Sequence, residues 1–375
     1  MKIKRYYHDL GRYLKPNKAL ILYGPRQVGK TTLLKDFLAT TKLRHRLDSG
    51  DNIRIREVLG SENFDVIREY AQGYELIAID EAQKIPNIGQ TLKIFVDEIP
   101  GIRLIATGSS SFELAGQVGE PLTGRKITLS LYPVAQMELK NHYNPFDLKN
   151  NLELSLVFGG YPEACTAGSR EEKGRVCLEI ADSYLLKDIL EFERVKSSKL
   201  LLDLLRLLAF QVGNEVSLTE LASHLGIDYK TVARYLDLFE KSFVIYNLRG
   251  FSRNLRSEIT RKSKYYFYDN GIRNAVISNF NGLALRNDVG QLWENFLFME
   301  RLKKRAYRSI HANAYFWRTW QKEKIDLVEE REGRLFGYEF KWSRTKAKPL
   351  KEWSQAYPDS ELSLVTRENY LDFVT

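Results

Sequence analysis

The chain has 375 residues, 43% of them hydrophobic and 12% aromatic, which is enough for two to four domains with substantial cores. No uninterrupted apolar run approaches the ~20 residues that cross a bilayer, and the basic start MKIKRYYHDL lacks the apolar core of a secretion signal. We therefore expect a cytoplasmic protein with no membrane partner. The net charge of +9 favours a polyanionic partner, and two cysteines are too few for a disulfide framework or a zinc site.

The first motif is the run GPRQVGKTT, which follows an apolar stretch and precedes a helical pattern. Its spacing matches the phosphate-binding loop, in which glycines let backbone N–H groups turn inward around an anion. Lys30 would reach the β- and γ-phosphates, and the Thr31 hydroxyl would bind Mg²⁺. An ordinary glycine-rich turn would not need this lysine and threonine. The predicted nucleotide-binding residues are Gly24, Pro25, Arg26, Gln27, Val28, Gly29, Lys30, Thr31 and Thr32.

An acid pair follows about fifty residues later, at the end of the apolar run ELIAIDEA. A buried parallel strand delivers such acids to the carboxyl edge of a sheet. Asp80 would hold the Mg²⁺ shell, and Glu81 would activate the attacking water. The alternative is an acidic pair that caps a loop, but the upstream phosphate loop favours hydrolysis of ATP.

The next strand, residues 102–106, leads into Thr107, Gly108 and three serines. If this strand lies between the first two, Ser109 or Ser110 could contact the γ-phosphate or the lytic water, although serines after a glycine also cap turns and helices. Arg125, in TGRK, is a candidate arginine finger acting on a neighbouring subunit's nucleotide. The alternative is a surface arginine beside a turn.

The middle of the chain shows a helix-turn-helix pattern in LTELASHLGIDYKTVARYLDLFEK, and two strand patterns follow it, which together predict a winged helix. Tyr229, Lys230 and Arg234 would face a DNA major groove. A packing or partner surface is the alternative. The cations expected on DNA phosphates lie in the connecting segment: Arg253, Arg256, Arg261 and Lys262.

The C-terminal part contains two strand patterns separated by a turn with Gly333. A two-residue loop at Glu332 and Gly333 would place Asp326 opposite Glu339 on one face of a hairpin. These two acids, with Glu294 from a preceding helix, could hold Mg²⁺, and Lys341 could orient water or phosphate, as in a metal-dependent nuclease. In the alternative, Lys324 and Lys341 neutralise the acids in an ion-pair cluster.

Several motifs resemble those of a family of prokaryotic AAA-type ATPases: GPRQVGKTT, IDEAQ, ATGSSS, LTGR, FGGYPE, LWENF and the closing FWRT…IDLV…EFKW pattern. In that family a P-loop domain is followed by a winged helix and a C-terminal domain related to the restriction-endonuclease fold. The resemblance covers nearly the whole chain and implies the phosphate, Mg²⁺ and nuclease-like positions named above. Active restriction-type sites usually carry a proline-aspartate before the metal-binding acid. In this chain Lys324 and Ile325 precede Asp326.

We therefore predict an α/β fold with a parallel-sheet ATPase domain over residues 1–145, a helical lid over 146–198, a winged helix over 199–279 and a restriction-endonuclease-like domain over 280–375. The predicted function is Mg²⁺-dependent ATP binding and hydrolysis coupled to conformational change of the winged helix and the nuclease-like domain, acting on DNA, in a homo-oligomer. Two alternatives are a slow nucleotide-dependent switch that binds a protein partner without DNA, and an ATP-regulated nuclease.

Overall fold

The structure is a computed structural model that describes residues 2–109, 121–192, 197–251, 263–319, 323–343 and 350–375; for residues 183–192 it describes the helix but not the side chains. The chain divides into two compact units. The first, which we call the N-terminal unit, comprises Lys4–Tyr132 and Lys241–Phe243. The second, the C-terminal unit, comprises Pro133–Glu240 and Val244–Thr375, with the residues before Lys4. The finer division into four segments stays a prediction.

A parallel sheet of five strands forms the centre of the N-terminal unit. The strands are β1 (Lys18–Tyr23), β2 (His45–Ser49), β3 (Leu76–Asp80), β4 (Arg103–Gly108) and β5 (Lys126–Ser130). Their order in the sheet is β2-β3-β4-β1-β5, and every pairing is parallel. The predicted α/β fold with a parallel sheet is confirmed, and β4 lies between β1 and β3 as expected. The carboxyl ends of β1, β3 and β4 therefore meet at one edge of the sheet.

Helices pack their apolar sides against this sheet and bury it. The helices of the N-terminal unit are α1 (Lys30–Leu38), α2 (Ile53–Leu59), α3 (Phe64–Ala71) and α4 (Ile88–Glu98). Ile67 of α3 and Phe95 of α4 share one hydrophobic core with Ile79 of β3. Residues Leu76 to Ile79 are fully buried, as expected for a parallel strand with both faces covered.

The C-terminal unit begins with helices. These are α5 (Gln136–Leu139), α6 (Pro145–Asn150), α7 (Leu152–Phe158), α8 (Pro162–Thr166), α9 (Arg170–Phe192), α10 (Ser198–Phe210), α11 (Leu218–Leu225) and α12 (Tyr229–Lys241). Gly226, at φ 64°, ends α11, and the Asp228 carboxylate accepts a hydrogen bond from Thr231 N at 3.0 Å at the start of α12. The predicted helix-turn-helix pattern therefore forms two helices joined by a short turn; its assignment as a winged helix stays a prediction.

As far as the structure describes it, the rest of the C-terminal unit combines four further α-helices with a mixed sheet. The helices are α13 (Asn270–Val276), α14 (Val289–Tyr307), α15 (Lys351–Ala356) and α16 (Tyr370–Val374). The strands are β6 (Glu215–Val216), β7 (Ile245–Gly250), β8 (Ser263–Phe267), β9 (Asn313–Arg318), β10 (Lys324–Arg331), β11 (Arg334–Phe340) and β12 (Glu361–Val365). Their order is β12-β11-β10-β9-β7-β8-β6. The parallel pairing of β7 with β9 thus joins the strands after the helix-turn-helix to the C-terminal strands in one sheet.

The FGGYPE motif has a structural explanation inside the C-terminal unit. The buried Asp269 carboxylate accepts a hydrogen bond from Gly160 N at 2.7 Å, and a Cβ atom at Gly159 would lie 1.9 Å from Asp269 Oδ1. Burial raises the pKa of Asp269, while Lys303 and the backbone donors oppose that rise. Gly159 therefore leaves room for a carboxylate that fastens this segment to the start of α13, and the N–H of Gly160 donates to that carboxylate.

Candidate functional site

The phosphate loop joins β1 to α1 at the carboxyl edge of the parallel sheet. Gly24 has φ 151°, and a Cβ atom there would lie 1.9 Å from the Leu131 carbonyl oxygen, so only glycine fits. Gly29 has φ 93° immediately before α1, in a region that side chains rarely adopt. The two motif glycines therefore occupy the two positions where the loop backbone requires them.

Lys30 folds back over the loop. Its side chain is buried, and Nζ donates hydrogen bonds to the carbonyl oxygens of Gly24 at 2.8 Å and Pro25 at 2.6 Å. An ammonium group held at this position can exchange these carbonyl acceptors for phosphate oxygens without leaving the loop.

Asp80 meets the phosphate loop through hydroxyl groups. Thr31 Oγ1 donates to Asp80 Oδ2 at 2.8 Å, and Thr107 Oγ1 donates to Asp80 Oδ1. Thr31 and Asp80 lie 49 positions apart in the chain, yet their oxygens are in direct contact. A hydroxyl and a carboxylate are hard oxygen ligands, so this pair fits Mg²⁺, which takes few protein oxygens and keeps several waters.

Glu81 stands beside Asp80 in an unusual backbone conformation. Its φ is 50°, a left-handed value that a glutamate seldom adopts, and its N–H donates to Thr107 Oγ1 at 3.3 Å. Its Oε2 accepts a hydrogen bond from Gln83 Nε2 at 2.6 Å, and the same amide nitrogen lies 3.2 Å from Ser109 Oγ. The carboxylate is thus held by a neighbouring amide, which fixes where it can take a proton.

Ser109 lies at the edge of the sheet that carries the phosphate loop, while Ser110 lies outside the described residues. Arg125 lies elsewhere. It precedes β5, whose first residue aligns with Ala19 near the start of β1, so Arg125 is at the opposite edge of the sheet from the loop. Its half-exposed side chain donates to Asp97 Oδ1 at 2.6 Å. Within one chain the structure does not bring Arg125 to the acid pair.

Two residues of this site were missed in the sequence, Thr107 and Gln83. Thr107 ends up level with Asp80 because Ile79 aligns with Ala106 in the parallel pairing of β3 and β4. The available signal was a threonine directly after an apolar strand pattern, two residues before Ser109. Gln83, two residues after Glu81, carried no signal beyond its place in IDEAQ.

The DNA-binding candidates are only partly described. Tyr229, Lys230 and Arg234 lie exposed on α12, with the Arg234 guanidinium 5.4 Å from the Tyr235 ring centroid. The remaining four candidates lie outside the described residues: Arg253, Arg256, Arg261 and Lys262.

The C-terminal hairpin has the predicted register. Arg331 pairs with Arg334 across a two-residue turn, Glu332 and Gly333, whose φ values are 50° and 75°. Leu327 pairs with Tyr338, so the next position along places Asp326 opposite Glu339. Asp326 Oδ2 accepts a hydrogen bond from Phe340 N at 2.9 Å, and Lys324 Nζ lies 3.3 Å from Asp326 Oδ1.

Glu294, on α14, is also paired. Its Oε1 accepts hydrogen bonds from Lys264 Nζ at 3.1 Å and Tyr266 OH at 2.7 Å. Burial raises the pKa of Glu294, and Lys264 opposes the rise; burial likewise raises the pKa of Glu339, and Lys341 opposes it. Within the described ranges, no group of three or more His, Cys, Asp or Glu side chains is placed to hold a metal ion, so the three acids do not form a ligand set.

Comparison with protein families agrees with the geometry of the N-terminal unit. Residues 16–140 match a family described as an AAA domain. This match supports an AAA-type ATPase. After the AAA-type domain, residues 149–283 and 289–372 match two domains of unknown function, DUF8612 and DUF4143.

Three relatives of the whole chain are uncharacterized proteins. One from Mycobacterium tuberculosis is 27% identical over 90% of this chain and 73% of its own length. One from Haemophilus influenzae is 24% identical over 80% of this chain and 78% of its own length. One from Methanocaldococcus jannaschii is 24% identical over 97% of this chain and 84% of its own length. The similarity therefore extends over most of this chain in proteins from three organisms.

Two solved structures are similar at a lower level. The Holliday junction branch migration motor RuvB of Thermotoga maritima has a TM-score of 0.30 at 17% identity, over 61% of this chain and 81% of that chain. A signal transduction ATPase with a tetratricopeptide repeat sensor from Pyrococcus horikoshii has a TM-score of 0.31 at 11% identity, over 81% of this chain and 46% of that chain. Both TM-scores are below 0.5, so the assignment of the AAA-type domain depends on the family match and on the site. Among the described residues no helix has the length and apolar character to span a bilayer.

Proposed function

We propose that this protein binds ATP with Mg²⁺ in the loop that joins β1 to α1 and hydrolyses it with the acid pair at the end of β3. The observation that carries the proposal is the 2.8 Å contact between Thr31 Oγ1 and Asp80 Oδ2. The hydroxyl of the loop and the acid of the strand are thus adjacent, and together they would hold the metal ion beside the phosphate loop.

Each residue then has a distinct part. The backbone N–H groups of the loop, residues 24–32, and the N-terminus of α1 bind the phosphate oxygens. Lys30 moves from its carbonyl acceptors to the β- and γ-phosphates, where it stabilises developing charge. Thr31 and Asp80 would hold Mg²⁺, which would supply positive charge against the negative charge of the phosphates.

Glu81 takes a proton from the attacking water. Its carboxylate is aimed by Gln83, and its backbone N–H by Thr107. Ser109, bound to the same Gln83 amide, would report the arrangement of Glu81 to the chain that follows β4. Arg125 has a part only if a second copy of the chain supplies it, which is why we keep a homo-oligomer in the proposal.

The partner that we propose for the C-terminal unit is DNA. Tyr229, Lys230 and Arg234 are exposed at the N-terminal half of α12, where the second helix of a helix-turn-helix meets a groove. The basic composition of the chain favours the same class of partner. We do not extend the proposal to DNA cleavage, because Glu294 and Asp326 already have lysine partners.

The hydrolysis experiment measures steady-state release of phosphate from ATP by the purified protein, with and without duplex DNA. Glu81→Gln serves as the control for contaminating activity, and Glu57→Gln, an exposed acid on α2, as the matched control. Hydrolysis by the wild type but not by Glu81→Gln supports the proposal. Equal activity in both would refute it.

The DNA experiment measures duplex affinity as a function of salt. The double variant Lys230→Gln, Arg234→Gln should lower the slope of log K against log salt by about two, one for each cation removed from the DNA interface. The variant Lys199→Gln, Arg308→Gln removes the same charge from exposed positions of the same unit and should leave the slope unchanged. Wild-type hydrolysis with no salt-dependent DNA binding would favour the protein-partner switch.

A further inference from the structure

A buried arginine near the start of the chain lies against the phosphate loop. Arg5 is only 8% exposed, and its guanidinium donates two hydrogen bonds to backbone carbonyl oxygens. Nη1 donates to Val28 O in the loop, and Nη2 donates to Tyr132 O at 2.6 Å, just after β5. Arg5 therefore connects the phosphate loop with the chain that leaves the edge strand, and all three residues belong to the N-terminal unit.

The contact with Val28 determines the orientation of a loop donor. The carbonyl of Val28 and the N–H of Gly29 belong to one peptide group, and in a trans peptide they point in opposite directions. By holding the Val28 carbonyl on its own side, Arg5 directs the Gly29 N–H to the other side. Arg5 Nη1 also lies beside Gly29, at 3.7 Å from the position that a Cβ atom would take there.

The second contact explains why an arginine is needed. A guanidinium is a rigid planar fork that can donate to two carbonyls at once, whereas a lysine ammonium is a point charge on a flexible stem. The Tyr132 carbonyl lies one residue beyond Leu131, whose N–H is bonded to Tyr23 O at 2.7 Å at the end of β1. One end of the fork is thus fixed to the sheet, and the other holds the loop.

We propose that Arg5 is a positioning residue that holds the phosphate loop in its anion-binding conformation, so that nucleotide affinity depends on Arg5 through the loop backbone. This inference rests on the proposed nucleotide site. It predicts an effect on the binding of ATP and ADP alike, because the loop backbone contacts phosphates that both share, and little effect on the rate of the chemical step.

The test compares Arg5→Gln and Arg5→Lys with the wild type and with Arg12→Gln, whose arginine is exposed and pairs with Asp9 in the same N-terminal segment. Calorimetry gives Kd for ATP·Mg²⁺ and ADP·Mg²⁺, kinetics give KM and kcat, and thermal unfolding gives Tm. We expect Arg5→Gln to raise both Kd values and KM by about tenfold, or about 1.4 kcal/mol, with kcat within about twofold. The Kd and KM values of Arg5→Lys should lie between those of the wild type and Arg5→Gln. Those of Arg12→Gln should equal the wild-type values.

Chemical rescue separates positioning from a general loss of stability. In Arg5→Ala, millimolar methylguanidinium should restore part of the affinity for ATP, while the same salt should leave Arg12→Gln and Lys30→Ala unchanged. If Arg5→Ala or Arg5→Gln does not fold, Arg5→Lys decides the question. Wild-type affinity in a folded Arg5→Lys or Arg5→Gln, even with a lower Tm, would overturn the role of Arg5. Failure of the wild type itself to bind ATP would instead overturn the proposed nucleotide site.

Discussion

Two groups of acids in this protein are neutralised in different ways. In the N-terminal unit, Asp80 ends a strand and accepts hydrogen bonds from the hydroxyls of Thr31 and Thr107. In the C-terminal unit, Asp326 lies near the start of a strand with the ammonium of Lys324 3.3 Å away, and Glu294 is bonded to Lys264. The hydrogen bonds to the first carboxylate come from neutral hydroxyls, whereas each of the other two has a lysine partner beside its neutral donor.

The difference indicates what each group can bind. A hydroxyl that donates to a carboxylate can turn its oxygen toward a metal ion, so the pair of Thr31 and Asp80 is ready to accept Mg²⁺ without losing a cation. A metal ion that entered the C-terminal group would meet the charge of its lysines, which repels it. Whether acidic residues close together in a fold can bind a metal ion therefore depends on the charge of the donors that already hold them.

The largest effect should come from the loop lysine. Lys30→Ala removes the ammonium that we propose stabilises the transferred phosphate, and we expect ATP hydrolysis to fall by about 1,000-fold. Lys35→Ala removes an exposed lysine from the same helix and should retain full activity. The measurement is steady-state phosphate release, with ATP·Mg²⁺ binding followed through its effect on Tm. Normal turnover by Lys30→Ala would show that the proposed site in the N-terminal unit does not hydrolyse ATP.

Glu81 should rank next. Glu81→Gln keeps the size and the contact with Gln83 but cannot take a proton, so kcat should fall by about 100-fold while the Kd for ATP changes little. Single-turnover kinetics on the pre-bound complex measure the chemical step directly. A parallel loss of binding would mean that Glu81 holds the nucleotide or its metal, as an additional ligand, and does not act as a base.

Thr107 gives a smaller and more specific effect. Thr107→Val keeps the shape of a fully buried side chain but removes the hydroxyl bonded to Asp80 and Glu81. We expect kcat to fall by about tenfold, corresponding to one hydrogen bond to a charged group. Thr107→Ser retains the hydroxyl and should stay within about threefold of the wild type. Equal losses in both variants would assign the effect to packing.

The smallest effect on turnover should come from the C-terminal acids. Glu339→Gln should leave ATP hydrolysis within about twofold. It should, however, change how stability depends on pH. Because burial raises the pKa of Glu339, the folded chain keeps this proton to a higher pH than the unfolded chain does. Glu339 therefore makes the free energy of unfolding fall as the pH rises from the unfolded pKa through the folded one.

In Glu339→Gln that contribution is gone, so the stability of the variant relative to the wild type should increase with pH over the same interval. Denaturant unfolding between pH 4 and pH 8 measures the difference, with the exposed Glu171→Gln of the same unit as control. A rise in wild-type Tm with Mg²⁺ alone that Glu339→Gln abolishes would show instead that these acids hold a metal ion.

The parts of the site that were predictable depend on local spacing. The loop glycines, Lys30 and Thr31 follow from one short motif, and the pairing of Asp326 with Glu339 follows from a two-residue turn that fixes the register of a hairpin. Neither prediction needs any knowledge of distant parts of the chain.

Apart from Gln83, which bonds to Glu81 two positions away, the residues that escaped prediction are joined over long distances. Thr107 reaches Asp80 through the register of two parallel strands, which no short turn determines. Lys264 meets Glu294 across 30 positions, and Arg5 meets Tyr132 across 127. Such contacts are set by packing of whole elements, so sequence patterns indicate the residue types present but not which of them meet.

The pairing of β7 with β9 has a practical consequence for dissecting the protein. Gly250 aligns with Phe316 in this ladder, and Phe251 N bonds to Phe316 O at 2.6 Å. A gene truncated between residues 279 and 280 would separate these strands and leave two unpaired backbone edges, each able to recruit strands from other molecules. Fragments cut there should precipitate on expression, while a fragment that begins near Pro133 keeps the ladder whole.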